Sequence, residues 1–214
     1  MLGGDCTLEI GTVLGFGSDF SRIGLLYFDA HPDLNRPVEP GPGALDWTGL
    51  AHLLGEPETV EAIAQIGGQV PMLRPDQVVL FARDPSQHTE REVEAIARLG
   101  LQGKTCLEVA RDPETAAWEA MALFGPEIRT VLIHFDVDTI DFTDLPISHH
   151  GGRNEGLGFD ETMRALGALL SDPRIGAITI SELNPDHADS EGSVLRRFVE
   201  RLADALGNIP QRPG

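Results

Sequence analysis

Several classes of protein are excluded by what this chain lacks. Two cysteines, Cys6 and Cys106, in 214 residues supply no disulfide framework. Lysine and arginine number 16 against 34 Asp and Glu, a formal net charge of -18. A chain so short of positive charge has no basic patch for nucleic acid or for an anionic membrane surface, so neither is expected as a partner. No apolar run is long enough to span a bilayer. The N-terminus has no basic segment followed by an apolar stretch, which makes the cytoplasm the expected location. There is no internal repeat, low-complexity tract or linker, and 41% apolar with 23% charged residues describes an ordered globular chain. A single domain over residues 1–214 with a sizeable core is expected.

Strands alternate with helices along the chain. Short apolar runs at Leu25–Phe28, Val78–Phe81, Val131–Phe135 and Ala177–Ile180 suit a sheet covered on both faces. Thr89-x-x-Glu92 is a capping box opening a helix that carries Val93, Ile96 and Ala97 inward and stops at Gly100. Further helices are expected from Pro113 to Phe124, Phe159 to Leu170 and Gly192 to Leu206, the last with Val194, Leu195, Phe198, Val199 and Leu202 on one stripe. The alternation predicts an α/β fold of three layers around a mainly parallel sheet. Pro37–Gly43 reads as a surface loop.

The chemistry is concentrated after two of those runs. Asp29, His31 and Asp33 occupy alternate positions behind the first, so their side chains leave the backbone on one side. Asp136 and Asp138 repeat the arrangement behind Val131–Phe135. Four carboxylates in one site repel one another unless a divalent cation neutralises them. Bridging carboxylates with imidazole as the minority ligand favour Mn2+ over Mg2+, Fe2+ or Zn2+. Two such ions about 3.5–4 Å apart can hold a bridging hydroxide at neutral pH, which is hydrolase chemistry. Asp29, Asp136 and Glu182 each follow a separate strand, and the crevice beyond strand C-termini is where open α/β sheets bind ligands.

Gly3-Gly4-Asp5-Cys6, Asp29-Ala30-His31-Pro32-Asp33-Leu34-Asn35, Asp136-Val137-Asp138-Thr139-Ile140-Asp141 and Ser181-Glu182-Leu183-Asn184-Pro185, in that order, resemble the four motifs of the ureohydrolases, the arginase and agmatinase family. The resemblance implies a dinuclear site with Cys6, Asp29, His31, Asp33, Asp136 and Asp138 as ligands. Asp29 and Asp136 would bridge, Cys6 and Asp33 would serve one ion, and His31 and Asp138 the other. It also implies that Asp33 hydrogen-bonds the bridging hydroxide, that Glu182 holds a planar cationic substrate, that Asn35 helps bind the substrate, and that the protein is a homo-oligomer. Because family members carry a long segment before the first motif, the sheet is expected to lack N-terminal strands and to leave an edge open to association.

The departures from the pattern are specific. Cys6 stands where most members have His; a thiolate favours Zn2+ or Fe2+ over Mn2+, while the alternative is a buried inert thiol. Asp46 stands at a position occupied in arginases by a proton-carrying His, and is read instead as the cap of a helix through Leu50 and Leu53. Phe142 replaces a common Pro, with a local effect. Pro40 and Pro42 replace hydroxyl residues that bind the amino-acid end of arginine, and Arg83-Asp84-Pro85 is a family loop shortened by two residues, so the substrate is open among guanidino and amidine compounds. His134 reads as a core residue, His149 and His150 as solvent-facing beside Arg153, and His187 as nearer the site. The expected function is hydrolysis of a guanidino or amidine carbon–nitrogen bond. The alternatives are a catalytically degraded paralogue that serves as a binding or assembly subunit, and a formimino-type hydrolase.

Overall fold

The computed structural model describes residues 1–17, 19–38, 44–149, 156–207 and 209–210. Most of the Pro37–Gly43 loop, with Pro40 and Pro42, lies outside these, as do His150 and Arg153 with their neighbours. Helix α1 (Leu8–Gly15) precedes β1 (Ile23–Phe28). The short helices α2 (Gly49–Leu53) and α3 (Glu61–Ala64) lead to β2 (Val78–Arg83), α4 (Glu90–Leu99), β3 (Gln102–Thr105), α5 (Cys106–Arg111), α6 (Pro113–Met121), β4 (Thr130–Asp136), α7 (Phe159–Leu170), β5 (Ile175–Ser181) and α8 (Ser193–Gly207). The four expected strands are present and slightly longer.

The described residues form one five-stranded, wholly parallel sheet in the order β3-β2-β1-β4-β5. Alternation along the strands divides the core. Leu26, Phe28, Phe81, Ile133 and Phe135 face α5, α6, α7 and α8, with Phe28 packed on Phe81 and Phe135 at 4.8 and 5.1 Å between ring centroids. Leu25, Tyr27, Val78, Leu80 and Leu132 face α1, α2 and α4. Each fully buried side chain of this size contributes roughly 1.5–3 kcal/mol of transfer free energy, so burial on both faces makes this a three-layer α/β fold. Among the described residues no helix is long and apolar enough to cross a membrane.

Two inward faces differ from expectation. In α4 the buried residues are Glu92 and Ala95, with Ile96 and Leu99 partly covered, while Val93 and Ala97 are exposed. In α8 Phe198 and Ala205 reach the core and Val199 does not. Both helices lie on the outside of the sheet, where a narrow stripe is enough.

From β1 the chain works outward through β2 and β3, then returns to β4 and β5 on the other side, so the strand order reverses between β1 and β4. A doubly wound sheet binds its ligands beyond the strand C-termini at such a switch point. At the β5 edge the Ile180 amide donates to the Met1 carbonyl (2.9 Å) and the Gly3 amide to the Ile180 carbonyl (3.0 Å), carrying the first motif to the same end of the sheet.

Candidate metal centre

Asp29 and Asp136 close β1 and β4, the two strands that flank the switch point. Each makes the same local turn: the His31 amide donates to Asp29 Oδ1 (2.7 Å) and the Asp138 amide to Asp136 Oδ1 (2.7 Å). Asp favours this bond to the backbone two residues on. It turns the chain sharply and brings the second donor of each motif beside the first. His31 Nδ1 thereby lies 3.1 Å from Asp138 Oδ2, with Nε2 held by Gln87 Oε1 at 3.1 Å. Gln87 is itself anchored, donating to Asp84 Oδ2 at 2.8 Å, so the Arg83-Asp84-Pro85 loop fixes the imidazole from behind.

Cys6 enters from the turn before α1. Its thiol donates to Asp136 Oδ2 at 2.9 Å and lies 4.0 Å from Asp29 Oδ2. Gly49 lets α2 approach this turn, since a Cβ there would lie 3.0 Å from the Cys6 carbonyl oxygen. Asp33 receives the Tyr27 hydroxyl at 2.5 Å, and its carbonyl accepts the Ala51 amide. Glu182 follows β5, with its amide donating to the Gly4 carbonyl. All six expected ligands fall into three groups whose donor atoms lie within 4.8 Å of one another: Cys6, Asp29, Asp33 and His134; Asp29, His31 and Asp138; Cys6, Asp136 and Glu182.

The electrostatics are those of anions crowded out of water. Burial, followed by the charge of Asp29, pushes the Asp33 carboxyl well up; burial with Asp138 and Asp29 does the same to Asp136. Burial and then Asp136, Asp33 and Asp29 raise the Cys6 thiol. Asp29 is held below the usual carboxylate range, because the His134 and His31 rings outweigh its burial. Against its own burial, His31 is pushed up to about 12 by Asp138 and Asp29. Asp138 Oδ1 is buried with no hydrogen-bond partner. A divalent cation would satisfy that oxygen and relieve the repulsion, so this donor set fits the expected metal.

Other residues sit differently from their sequence reading. Asp46 does not cap α2: it opens a short 3-10 turn, Thr48 is the N-cap, and the Asp46 charge helps push Glu182 up to about 7, after burial. Asn35 is buried, donating to Glu92 Oε1 (2.8 Å) and accepting from Thr89 Oγ1 (2.7 Å), so it would meet a substrate only by giving up those bonds. His149 and His187 are exposed; His187 Nδ1 pairs with the Ser148 carbonyl, and its ring meets Phe142 edge-on, a local contact. His134 is fully buried as expected, yet it lies in the donor cluster, and Glu9 of α1 is buried against it. The sequence signal for His134 was its place two residues before Asp136 on one strand, which puts both side chains on one face.

Fold and donor set together describe an α/β protein that gathers buried carboxylates, imidazoles and a thiol at a sheet switch point. A sequence model of the arginase family matches residues 1–203. The arginase of Bacillus caldovelox is 33% identical over 190 residues, 86% of this chain and 60% of that protein. The crystal structure of arginase from Bacillus subtilis superposes with a TM-score of 0.84 at 26% identity, over 96% of this chain and 68% of that one. A formimidoylglutamase structure from Bacillus subtilis, 18% identical with a TM-score of 0.78, shares the fold. The chain belongs to the arginase family, and spans about 60% of the length of the first of these relatives.

Proposed function

We propose that this chain is a metal-dependent hydrolase of a guanidino or amidine carbon–nitrogen bond. The observation that carries the reading is Glu182, a buried carboxylate within 4.8 Å of Cys6 and Asp136, whose proton affinity is raised to about 7 by burial and by the charges of Asp46, Asp138, Asp5 and Asp29. A carboxylate in that setting gains most from a cationic, planar partner, and a guanidinium offers paired N–H donors. Cys6, Asp29, His31, Asp33, Asp136 and Asp138 would hold two divalent cations. Mn2+ suits the carboxylates, and Zn2+ or Fe2+ the thiolate. The cations supply Lewis acidity and make water nucleophilic at neutral pH.

The protein's own groups do the rest. Glu182 orients the substrate carbon toward the centre. Asp33, fixed by the Tyr27 hydroxyl, takes the proton of the attacking water and returns it to the leaving nitrogen as the carbon–nitrogen bond breaks. Water and a guanidinium compound thus give urea, or an analogue, and an amine.

Glu182→Gln tests the assignment. It keeps the shape, removes the charge, and is expected to cost about 1.5–3 kcal/mol of substrate interaction, on the order of ten- to a hundredfold in kcat/KM on a guanidino screen, with metal content unchanged. Undiminished activity would rule out a cationic amidine as substrate. Cys6 and Asp46 favour a second reading, a catalytically silent subunit; a chain that takes up no metal would support it.

A further inference from the structure

Glu9 and His134 are a buried ionisable pair that the proposed reaction does not use. Both are fully buried, and neither carboxylate oxygen of Glu9 and neither ring nitrogen of His134 has a hydrogen-bond partner. His134 Nδ1 lies 3.7 Å from Glu9 Oε2, and Nε2 lies 3.6 Å from Asp29 Oδ2. Stacking on Tyr27, at 4.1 Å between centroids and 19° between planes, fixes the ring so that Nε2 faces the donor cluster. A direct buried ion triad would be expected to close these gaps to hydrogen-bonding distance, since buried polar atoms without partners are strongly destabilising. A gap of 3.6 Å does suit two donors on one tetrahedral cation, where bonds of roughly 2.0–2.3 Å put neighbouring donors about 3.3–3.7 Å apart.

Resting on the reading of this cluster as a metal centre, we propose that His134 Nε2 is a direct ligand of the cation held by Cys6, Asp29 and Asp33. The site is then a four-coordinate sulfur, nitrogen and two-oxygen site that selects Zn2+ over Mn2+, and Asp136 serves the second cation alone. The imidazole that Cys6 lacks is supplied from β4 instead. Glu9 is the carboxylate nearest the other nitrogen of His134, 3.7 Å from Nδ1, the place from which a ligating His is characteristically oriented. This gives the buried Glu in α1 a role that packing does not. The second site, with Asp29, His31 and Asp138, has no sulfur donor and keeps the preference of carboxylate and imidazole for harder ions.

The test is metal binding to the full chain, read independently of catalysis. Zinc-edge X-ray absorption on His31→Asn protein, which among the described residues leaves His134 as the imidazole of the donor groups, is expected to show sulfur and imidazole scattering together. Titration with Co2+ is expected to give the strong visible bands of a tetrahedral thiolate site. In His134→Gln, which can still donate a hydrogen bond to Asp29, those bands should weaken, and Co2+ affinity at the Cys6 site should fall by more than the roughly 10- to 100-fold that loss of an outer partner costs. Glu9→Gln, close to isosteric, should show that smaller loss, and it serves if His134→Gln does not fold. Sulfur without imidazole at the zinc edge overturns the proposal, as do wild-type affinity and spectrum in His134→Gln. A wild-type chain that binds neither Co2+ nor Zn2+ overturns the hydrolase reading as well, so the two failures are distinguishable.

Discussion

Asp33 and Glu182, the carboxylates given the proton and the substrate, both sit at positive φ, 48° and 59°. Outside glycine that conformation costs on the order of 1–3 kcal/mol and persists only where the surroundings enforce it. At Asp33 the Tyr27 hydroxyl and the Ala51 amide do so, and at Glu182 the bonds to Gly4 and His149. Four non-glycine residues among those described adopt that conformation, Glu58 and Ala82 being the others, so two of the four are side chains on which the proposed reaction depends. Asp136 has a different task, accepting from Cys6 and from the Asp138 amide on separate oxygens. Asp136→Ala is expected to abolish stoichiometric metal uptake and activity together; metal retained in that variant, measured by elemental analysis, would remove Asp136 from the ligand set. Cys6→His exchanges a soft donor for a borderline one, so competition titration should show the Mn2+ to Zn2+ preference moving toward Mn2+. Equal selectivity in two folded proteins would mark Cys6 as an inert thiol.

Helix α4 shows how an element can support a site it does not enter. Thr89 caps it in a reciprocal box with Glu92, and the same two side chains hold Asn35 at the end of the second motif. Thr89→Ala removes both services and is expected to cost about 1–2 kcal/mol, measured by denaturant unfolding; a cost of a few tenths would mean that Asn35 is held by other means. The capping box, the terminal Gly100 and the apolar strands were legible in the sequence because local chemistry dictates them. Strand β3 was not: Gln102-Gly103-Lys104-Thr105 is polar, and only its pairing with β2 makes it a strand. Short α5 was missed despite its local box at Thr105 and Glu108, because a helix of six residues shows little periodicity. The metal-ligand motifs were readable as clusters, each within a few residues of chain. The Glu9 and His134 pairing joins α1 to β4 across the core, and Asp46 meets the site through tertiary placement, so neither had a local signature.

At the scale of the whole molecule, the buried charges make stability depend on pH and on metal. Asp33, Asp136 and Glu182 have raised proton affinities in the fold, as do His31, up to about 12, and His134, up to about 10, where Asp29 and Glu9 overcome burial. In each case the folded state binds more protons than the unfolded one. The contribution is therefore most favourable below the unfolded value and declines as pH rises through the folded one. Asp29, whose affinity is lowered, acts oppositely, and only at acid pH. Metal-free protein should melt at lower temperature at about pH 8 than at about pH 5, with cations reversing most of that loss by mass action. Equal melting temperatures with and without a chelator at pH 8 would contradict the coupling. The order of the strands carries a further consequence, for the speed of folding. Leu26 of β1 pairs with Ile133 of β4, more than a hundred residues away, and the carboxylates of Asp29 and Asp136 stand at the ends of that pairing. Such distant partners meet late, because closing the intervening chain precedes any reward for doing so. A centre completed only by the last pairing cannot guide the search for it. Added cations should leave the refolding rate nearly unchanged and act almost entirely by slowing unfolding, so the protein would hold its metal as a lock set after assembly.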